Sequence, residues 1–240
     1  MQPDVESGKE EKMEVIRIDD NSWRIEDEGV RFFLLTGDEK ALLVDSGMTI
    51  SNAKEIAEGL TSLPISLVNT HADPDHIGSN DEFDFFYIHP AEAVNYYNVQ
   101  KRNGNFIPVE DGYIFNLGNR KLRVISIPGH TPGSIALLDE ERRILISGDP
   151  VQDGDIYMFG IMREFHAYIE SLKKLDGMKD SFDEIWPSHG TFPISPSIIP
   201  ELIENAGKCL NGELMSEEIN IRGMRIKRTD ATVAHFLCDM

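Results

Sequence analysis

The chain has 240 residues, and its 23 lysines and arginines against 42 aspartates and glutamates give a formal net charge of −19. This acidic balance excludes a nucleic-acid partner, because proteins that bind phosphates present a basic surface to them. The two cysteines provide neither a disulfide framework nor a metal-binding spacing, and no run approaches the roughly 18 apolar residues that a membrane span needs.

Residues 1–12 are polar and mostly acidic, and they predict a flexible N-terminal tail. They contain no apolar segment of the kind that secretory signals carry. Because neither an internal linker nor a low-complexity segment interrupts the rest of the sequence, residues 13–240 are expected to form a single domain. We expect the protein to be cytoplasmic and to have no membrane partner.

Apolar runs separated by turn-forming residues predict short strands along the whole chain. These strands are predicted at residues 15–18, 23–25, 30–35, 41–44, 63–69, 85–88, 122–127, 135–138, 144–147, 184–186, 220–227 and 232–237. Capping residues and helical periodicity predict helices at residues 54–60, 90–97, 165–175 and 199–209. Since both halves mix strands with helices, the pattern by itself predicts a layered fold of the α/β (α+β) class. It favours two sheets face to face with helices outside, a four-layer αββα sandwich.

The segment 71–76, with the sequence HADPDH, places four potential metal ligands within six residues. These are His71, Asp73, Asp75 and His76, and they come directly after a predicted apolar strand. A strand end followed by a tight, proline-containing turn directs side chains toward one point, as in many functional loops. Imidazole and carboxylate ligands suit zinc, iron or manganese. We interpret this segment as the centre of a metal site rather than as a surface loop.

Three further ligand-type residues lie at the exits of later predicted strands. His130 follows the apolar run that ends at residue 127, Asp149 follows the strand at 144–147, and His189 follows the strand at 184–186. Each of them taken singly is typical of an ordinary turn. Their shared position after strands, in combination with the segment 71–76, indicates a single constellation.

In this order of motifs the sequence resembles the metallo-β-lactamase superfamily, whose signature is His-x-His-x-Asp-His followed by a distant histidine, an aspartate and a final histidine. The flanking segments LVDSG at 43–47, NTH at 69–71, PGHTPGS at 128–134, SGD at 147–149 and SHG at 188–190 are similar as well. The resemblance covers roughly residues 15–240. It implies the metallo-β-lactamase fold and a dinuclear metal site.

The resemblance assigns each candidate ligand to one of two metal positions. Site 1 would consist of His71, Asp73 and His130, site 2 would consist of Asp75, His76 and His189, and Asp149 would bridge them. The implied cofactors are two divalent metal ions, zinc or iron, with manganese as a third candidate.

Asp73 departs from the family signature, which has a histidine at this position. A carboxylate adds a negative charge and a harder oxygen donor, which shifts the preference from zinc toward iron or manganese. The flavo-diiron proteins of the superfamily also carry an acid there, but theirs is a glutamate. Aspartate is one methylene shorter than glutamate, so the sequence leaves open whether Asp73 reaches the first metal position.

The expected activity is hydrolysis of an ester-like bond, such as a thioester or lactone, in a small-molecule substrate. A water that bridges two metal ions loses a proton near neutral pH, and the metal ions polarise the bond under attack. By resemblance, Asp75 is the candidate catalytic residue that accepts a proton and passes it to the leaving group.

A diiron redox enzyme that reduces oxygen or nitric oxide is the alternative, and it would need a separate electron-donor protein. Asp73 is its direct support in the sequence. A homodimer is a further open expectation, because two-fold dimers are the commonest assemblies and no motif specifies one.

Several other residues carry weaker signals. Asp45 resembles a family residue that braces the metal loop through hydrogen bonds. His89, His166 and His235 are more typical of capping, surface and packing positions than of ligands. The run YMF at 157–159 suits either the core or the mouth of a substrate cavity, with the core favoured.

Overall fold

A computed structural model describes residues 13–160, 162–221 and 223–240 of the chain, and the predicted tail at residues 1–12 lies outside the described residues. Within these ranges the chain forms three sheets and three α-helices. No helix in the described ranges combines the length and the apolar character that crossing a membrane requires. The single-domain organisation of residues 13–240 stays a prediction.

The first sheet contains seven strands in chain order. They are β1 (Glu14–Asp19), β2 (Ser22–Asp27), β3 (Val30–Thr36), β4 (Ala41–Val44), β5 (Ile65–Val68), β6 (Phe86–Ile88) and β7 (Phe106–Pro108). The strands from β1 to β4 pair antiparallel, whereas those from β4 to β7 pair parallel. The carboxyl ends of β4, β5 and β6 therefore meet at one edge of this sheet.

The second sheet contains five strands in the order β13, β11, β10, β9, β8. Their bounds are β8 (Ile114–Asn116), β9 (Lys121–Ser126), β10 (Ile135–Asp139), β11 (Ile144–Gly148) and β13 (Glu184–Pro187). Both β9 and β11 pair antiparallel with β10, and β13 pairs parallel with β11. Consequently β9, β11 and β13 run in the same direction and end at the same edge.

The two sheets pack face to face through an apolar core. Phe33 and Leu35 of β3 belong to this core together with Leu137 and Trp186 of the second sheet. Leu34, which lies between Phe33 and Leu35, belongs to a different cluster on the outer face of the first sheet. The period of two along a strand explains this division, and burial on both faces explains why β3 is apolar almost throughout.

Helices cover both outer faces of this sandwich. The helix α1 (Ala53–Leu60) packs Ala53 and Ala57 against the first sheet. The helices α2 (Phe165–Asp176) and α3 (Ile198–Leu210) pack Leu172 and Leu202 against the second sheet. The predicted αββα layering is therefore confirmed, and the three α-helices begin and end within one residue of the predicted bounds.

A third sheet of four strands corrects the prediction for the C-terminal region. In it β12 (Asp155–Met158) pairs parallel with β16 (His235–Cys238), and β14 (Ser216–Ile221) and β15 (Met224–Thr229) form a hairpin. The prediction of a single strand over residues 220–227 was wrong, because the chain reverses between β14 and β15. Gly223 has a φ of +85° in this turn, a conformation that glycine adopts without steric cost.

The segment after β6 also differs from its prediction. A regular helix was expected over residues 90–97. The chain instead forms a short 3₁₀ turn at Pro90–Glu92 and then a π-helical turn at Val94–Val99. Proline does begin the first turn, as predicted, because its missing N–H has no helical partner there.

Candidate metal centre

The candidate ligands leave the two sheets at the edge where the strands named above end. Four of them follow β5, in the segment 71–76. The other three follow β9, β11 and β13, and they are His130, Asp149 and His189. Because the sheets face each other, these loops from separate strands converge on one region. The sequence prediction that these seven side chains lie together in space therefore agrees with the structure.

The seven side chains form two groups, and within each group the ligand atoms all lie within 4.8 Å of one another. The first group consists of His71, Asp73 and His130. The second group consists of Asp75, His76, Asp149 and His189. This division matches the two metal positions that the resemblance implies, with Asp149 in the second group.

The first group has the dimensions of a metal-binding triad. The Oδ2 atom of Asp73 lies 3.6 Å from Nε2 of His71 and 3.5 Å from Nε2 of His130, and the two Nε2 atoms are 3.3 Å apart. Ligands at zinc-ligand distances on a tetrahedron are separated by about 3.4 Å. The shorter aspartate side chain therefore extends far enough to take the third corner of this triad.

Asp149 faces both groups at once. Its Oδ1 atom lies 3.1 Å from Nε2 of His76 and 3.4 Å from Nε2 of His189. Its Oδ2 atom lies 3.8 Å from Nε2 of His71 and 3.5 Å from Nε2 of His130. One oxygen toward each group is the arrangement expected of a bridging carboxylate.

Asp75 lies at the more open side of the second group. Its Oδ2 atom is 3.1 Å from Nε2 of His189 and 3.6 Å from Nε2 of His76. The Asp75 side chain is 23% exposed, whereas that of Asp149 is only 7% exposed. Asp75 is therefore within reach of the group and also of a molecule that approaches from solvent.

Hydrogen bonds fix which nitrogen of His76 and of His71 carries the proton. Nδ1 of His76 lies 2.9 Å from Oδ2 of Asp45, a carboxylate that must accept, so the proton belongs on Nδ1. Thr70 donates its hydroxyl to the same carboxylate at 2.8 Å, which leaves its oxygen free to accept from Nδ1 of His71 at 3.1 Å. Both Nε2 atoms are thus left as electron-pair donors toward the centre, as metal ligation requires.

His189 is oriented in the same way from the first sheet. Its Nδ1 atom donates to the carbonyl oxygen of Gly29 at 2.8 Å. Arg31 holds the loop that carries His189, donating to the carbonyl oxygens of Pro187 and Gly190 at 3.0 and 3.1 Å. The turn between β2 and β3 therefore determines the position of a ligand from the other sheet.

The electrostatics of the metal-free centre favour protonated imidazoles beside ionised carboxylates. Burial would lower the pKa of His76, but the charges of Asp149, Asp75 and Asp45 outweigh it and raise that pKa well above its usual value. Against the same effect of burial, Asp149 and Asp75 raise the pKa of His189 to about 10. Burial would raise the pKa of Asp149, but His189 and His76 hold it well below its usual range. Metal binding must therefore displace protons from these histidines.

Two enclosed atoms test whether these residues fit a metal ion. Nε2 of His76 and Oδ1 of Asp149 are buried and lie 3.1 Å apart, but they are not aligned for a hydrogen bond with each other, and neither has another hydrogen-bond partner. Buried polar atoms are nearly always paired, because leaving water without a new partner costs free energy. A divalent cation would satisfy both atoms, since neutral imidazole and carboxylate are its ordinary ligands. The donor set therefore fits the metal ions implied by the sequence.

The family model of the metallo-beta-lactamase superfamily matches residues 26–192 of this chain, a range that includes all seven candidate ligands. The chain belongs to this superfamily. The resemblance identified in the sequence is confirmed, and the layered fold described above is the one expected of a superfamily member.

Curated relatives of this superfamily member include enzymes whose names describe the hydrolysis of ester-like bonds. The acyl-coenzyme A thioesterase MBLAC2 of Homo sapiens is 26% identical over 200 residues, covering 65% of this chain and 71% of that protein. The hydroxyacylglutathione hydrolase of Gloeobacter violaceus is 28% identical over 196 residues, covering 77% of this chain and 73% of that protein.

Solved structures agree on the fold. The metallo-beta-lactamase from Pontibacter korlensis has a TM-score of 0.69 at 18% identity, covering 81% of this chain and 100% of its own. The metallo-beta-lactamase from Hirschia baltica has a TM-score of 0.64 at 14% identity, covering 80% and 96% respectively. These matches confirm the predicted fold class.

Glu92 is a supporting residue of the centre that sequence reasoning missed. Its buried carboxylate accepts from the backbone N–H of Ala72 at 2.9 Å and of Gly133 at 2.7 Å. It also accepts from Nδ2 of Asn95 at 3.3 Å. Glu92 thus joins the segment 71–76 to the loop that carries His130. A single acid in a predicted helix gives no sequence signal for this role.

Arg163 is the second residue that sequence reasoning missed. Its guanidinium donates from Nη2 to Oδ2 of Asp73 and from Nη1 to the carbonyl oxygen of His130. It therefore contacts two members of the first group, although it lies 90 residues after Asp73 in the sequence. No motif surrounds it in the sequence.

The remaining histidines lie outside the two groups. Nδ1 of His89 accepts from the backbone N–H of Ala91 at 3.2 Å and so caps the 3₁₀ turn. His166 lies exposed at the start of α2, and Nδ1 of His235 lies 2.9 Å from the carbonyl oxygen of Thr229. The capping, surface and packing positions favoured by the sequence agree with these contacts.

A cavity of about 640 Å³ opens above the centre. Asp73, Asp75, Asp149 and His189 lie among the residues that line it. The remaining walls include apolar side chains, namely Met48, Val99, Tyr157, Phe159, Ile221 and Met224. Of the run 157–159, the two aromatic residues line the cavity, whereas Met158 is buried in the core.

Proposed function

We propose that this superfamily member is a metal-dependent hydrolase that cleaves an ester-like bond of a small metabolite, with a thioester as the favoured substrate class. In this proposal two divalent metal ions are held by His71, Asp73, Asp75, His76, His130, Asp149 and His189. The observation that carries the proposal is the convergence of these side chains in two groups at the floor of a cavity.

Bound at these groups, a pair of divalent metal ions would acidify water and polarise the carbonyl group of a substrate. Asp75 is the residue proposed to accept the proton and return it to the leaving group. Its carboxylate lines the cavity and is partly exposed, so it reaches both the group and an incoming molecule. Asp149 is buried beneath it and is suited to holding metal rather than to exchanging protons with substrate.

The cavity walls support a substrate with an apolar acyl group. The aromatic and aliphatic side chains around the opening would gain free energy by burying a carbon chain, at roughly 0.8 kcal/mol per methylene. Glu28 and Asp155 also lie at the cavity, and Arg163 is the one lysine or arginine among the described residues that line it. A strongly anionic substrate would therefore be repelled from this rim.

The named relatives support thioesters in particular. The human protein acts on acyl-coenzyme A and the Gloeobacter violaceus protein on hydroxyacylglutathione, according to their names. Both names describe thioesters. The bond, rather than the thiol carrier of either relative, is what we carry over to this chain.

Metal analysis combined with thioester turnover tests the proposal. We expect protein purified without added metal to contain about two metal ions per chain, and to release thiol from a short acyl thioester until a chelator removes them. Asp75→Asn should remove thiol release, whereas His166→Ala, a histidine outside the centre, should retain metal and activity. Absence of bound metal, or turnover that is unaffected by chelation, would contradict the proposal.

The redox alternative has its own signature in the same preparation. It predicts two iron ions and oxygen or nitric oxide consumption when a reduced electron donor is supplied, without thioester turnover. Asp73 as an oxygen ligand is the feature that favours it. The two functions are therefore distinguished by metal identity and by the reaction observed.

A further inference from the structure

Arg163 occupies a position beside the first group that its two contacts define closely. One guanidinium nitrogen donates to Asp73 and the other donates to the carbonyl oxygen of His130. The side chains of Arg163 and Asp73 are only 12% and 14% exposed. A pair this shielded from water interacts far more strongly than a surface ion pair.

The oxygen of Asp73 that accepts from Arg163 is the same Oδ2 atom that faces the imidazoles of His71 and His130. The other oxygen, Oδ1, accepts from Nδ2 of Asn95 at 3.3 Å. Both oxygens of the carboxylate therefore have fixed donors. Their positions leave Oδ2 directed at the two histidines, which is the orientation that a ligand needs.

Charge gives a second reason for the pairing. Where the superfamily signature has a neutral histidine, Asp73 adds a negative charge to a region that already contains Asp45, Asp75 and Asp149. Among the ion pairs of the described residues, Arg163 is the one lysine or arginine that contacts any of these four aspartates. Its positive charge cancels the charge that Asp73 adds.

We infer that Asp73 and Arg163 act as one unit that replaces a neutral histidine at the first metal position, with Arg163 as a positioning residue. The carboxylate supplies the ligand atom, and the guanidinium holds its orientation and offsets its charge. This inference rests on the proposed metal site. The inference predicts that substituting either residue alone lowers metal affinity, whereas substituting both together preserves metal binding.

The sign of the effect of Arg163 is the decisive readout. With aspartate at position 73, Arg163→Met leaves a shielded carboxylate without its donor, and we expect metal affinity at the first site to fall about 10- to 100-fold. In the Asp73→His variant, Arg163 has lost its acidic partner, and its positive charge instead faces imidazoles and a bound metal cation. Adding Arg163→Met to Asp73→His should then raise affinity rather than lower it.

The experiment measures metal affinity by competition with a chromophoric chelator, and metal content by elemental analysis, for the wild type, both single variants and the double variant. Circular dichroism confirms that each variant is folded. Arg163→Lys, which keeps the charge and one donor, should recover part of the affinity. Arg142→Met, at a partly exposed arginine that pairs with Asp19 at 3.0 Å, is the matched control and should leave affinity unchanged.

A reversal of sign between the two backgrounds supports the inference. Equal effects of Arg163→Met in both backgrounds would overturn it, as would unchanged affinity in both single variants. If Arg163→Met alone does not fold, the comparison of Asp73→His with the double variant still decides, because the inference requires the double variant to bind more tightly. A wild type that takes up no metal would overturn the proposed function as well, so the two failures are distinguishable.

Discussion

Asp45 provides the sharpest test of how the centre is held together. Its Oδ2 atom accepts from Nδ1 of His76, and its Oδ1 atom accepts from the backbone N–H of Thr70 at 2.7 Å. Asp45→Asn preserves the shape of the side chain but presents an amide N–H₂ where an acceptor was needed. The amide would donate to Nδ1 of His76, which moves the ring proton to Nε2 and removes the electron pair that faces the centre.

The size of this effect follows from the role of Asp45. Loss of a residue that orients a metal-binding histidine typically lowers metal affinity 10- to 100-fold. Each factor of ten corresponds to about 1.4 kcal/mol of binding free energy, so the expected loss is about 1.4 to 2.8 kcal/mol. We expect this loss at the second site, because His76 belongs to the second group.

The assay is a competition titration with a chromophoric chelator, with metal content measured on the same samples. Asp27→Asn is the matched control: Asp27 is also buried and accepts from the backbone N–H of Met48 and Thr49 at 2.6 and 2.8 Å, but it contacts no ligand. It should lower stability without a change in metal affinity. Unchanged affinity in folded Asp45→Asn, or an equal loss in both variants, would refute the reasoning.

Three further predictions test the centre and its surroundings. Each of His71→Ala, His130→Ala and Asp149→Ala should lower metal content and abolish hydrolysis; normal content and turnover in all three would show that the ligand assignment is wrong. In the metal-free protein, the pKa of His189 is raised to about 10, so its protonated form stabilises the fold below pH 6.5 and this contribution is lost as the pH rises toward about 10. Metal affinity should rise over the same pH window. A titration showing no proton release on metal uptake would contradict this prediction. Gly129→Ala should lower the free energy of unfolding, measured by denaturant titration, by about 3 kcal/mol or more. The reason is that Gly129 has a φ of +130° and an added Cβ would lie 2.2 Å from the backbone nitrogen of Tyr168. As a control, Gly207→Ala in α3, where an added Cβ meets no atom within 4 Å, should raise the free energy of unfolding by roughly 1 kcal/mol.

The layered fold was predictable because its signals are local. Continuous apolar runs such as β3 reveal strands buried on both faces, and the stripe along α2 reveals a helix with one buried face. The strands that escaped prediction, β7, β8 and β12, have only three or four residues each. A run this short gives too few alternations to establish a period of two. Their positions are fixed by pairing with neighbours rather than by their own sequence.

The candidate ligands were predictable for a different reason. Each follows a strand, and strands that run in the same direction end at one edge whatever residues lie between them. That rule brings His130, Asp149 and His189 to one edge of the second sheet. The face-to-face packing of the two sheets then places this edge beside the segment 71–76, up to 118 residues away in the sequence. Residues that support the ligands, such as Glu92, follow no such rule. Their roles depend on the path of a loop, which an isolated acid in the sequence does not specify.

Arg163 shows how the supporting contacts arise from packing rather than from motifs. Gly129 lacks a Cβ, so the start of α2 approaches the loop of His130 closely enough for the N–H of Glu164 to donate to the carbonyl oxygen of Gly129 at 2.8 Å. The residue immediately before Glu164 is Arg163, which this contact places beside His130 and Asp73. The same glycine that the motif requires therefore brings a cation to the one position where the sequence departs from the superfamily signature. The departure at Asp73 and its counter-charge are thus connected through the backbone of α2, which explains why the sequence revealed the first but not the second.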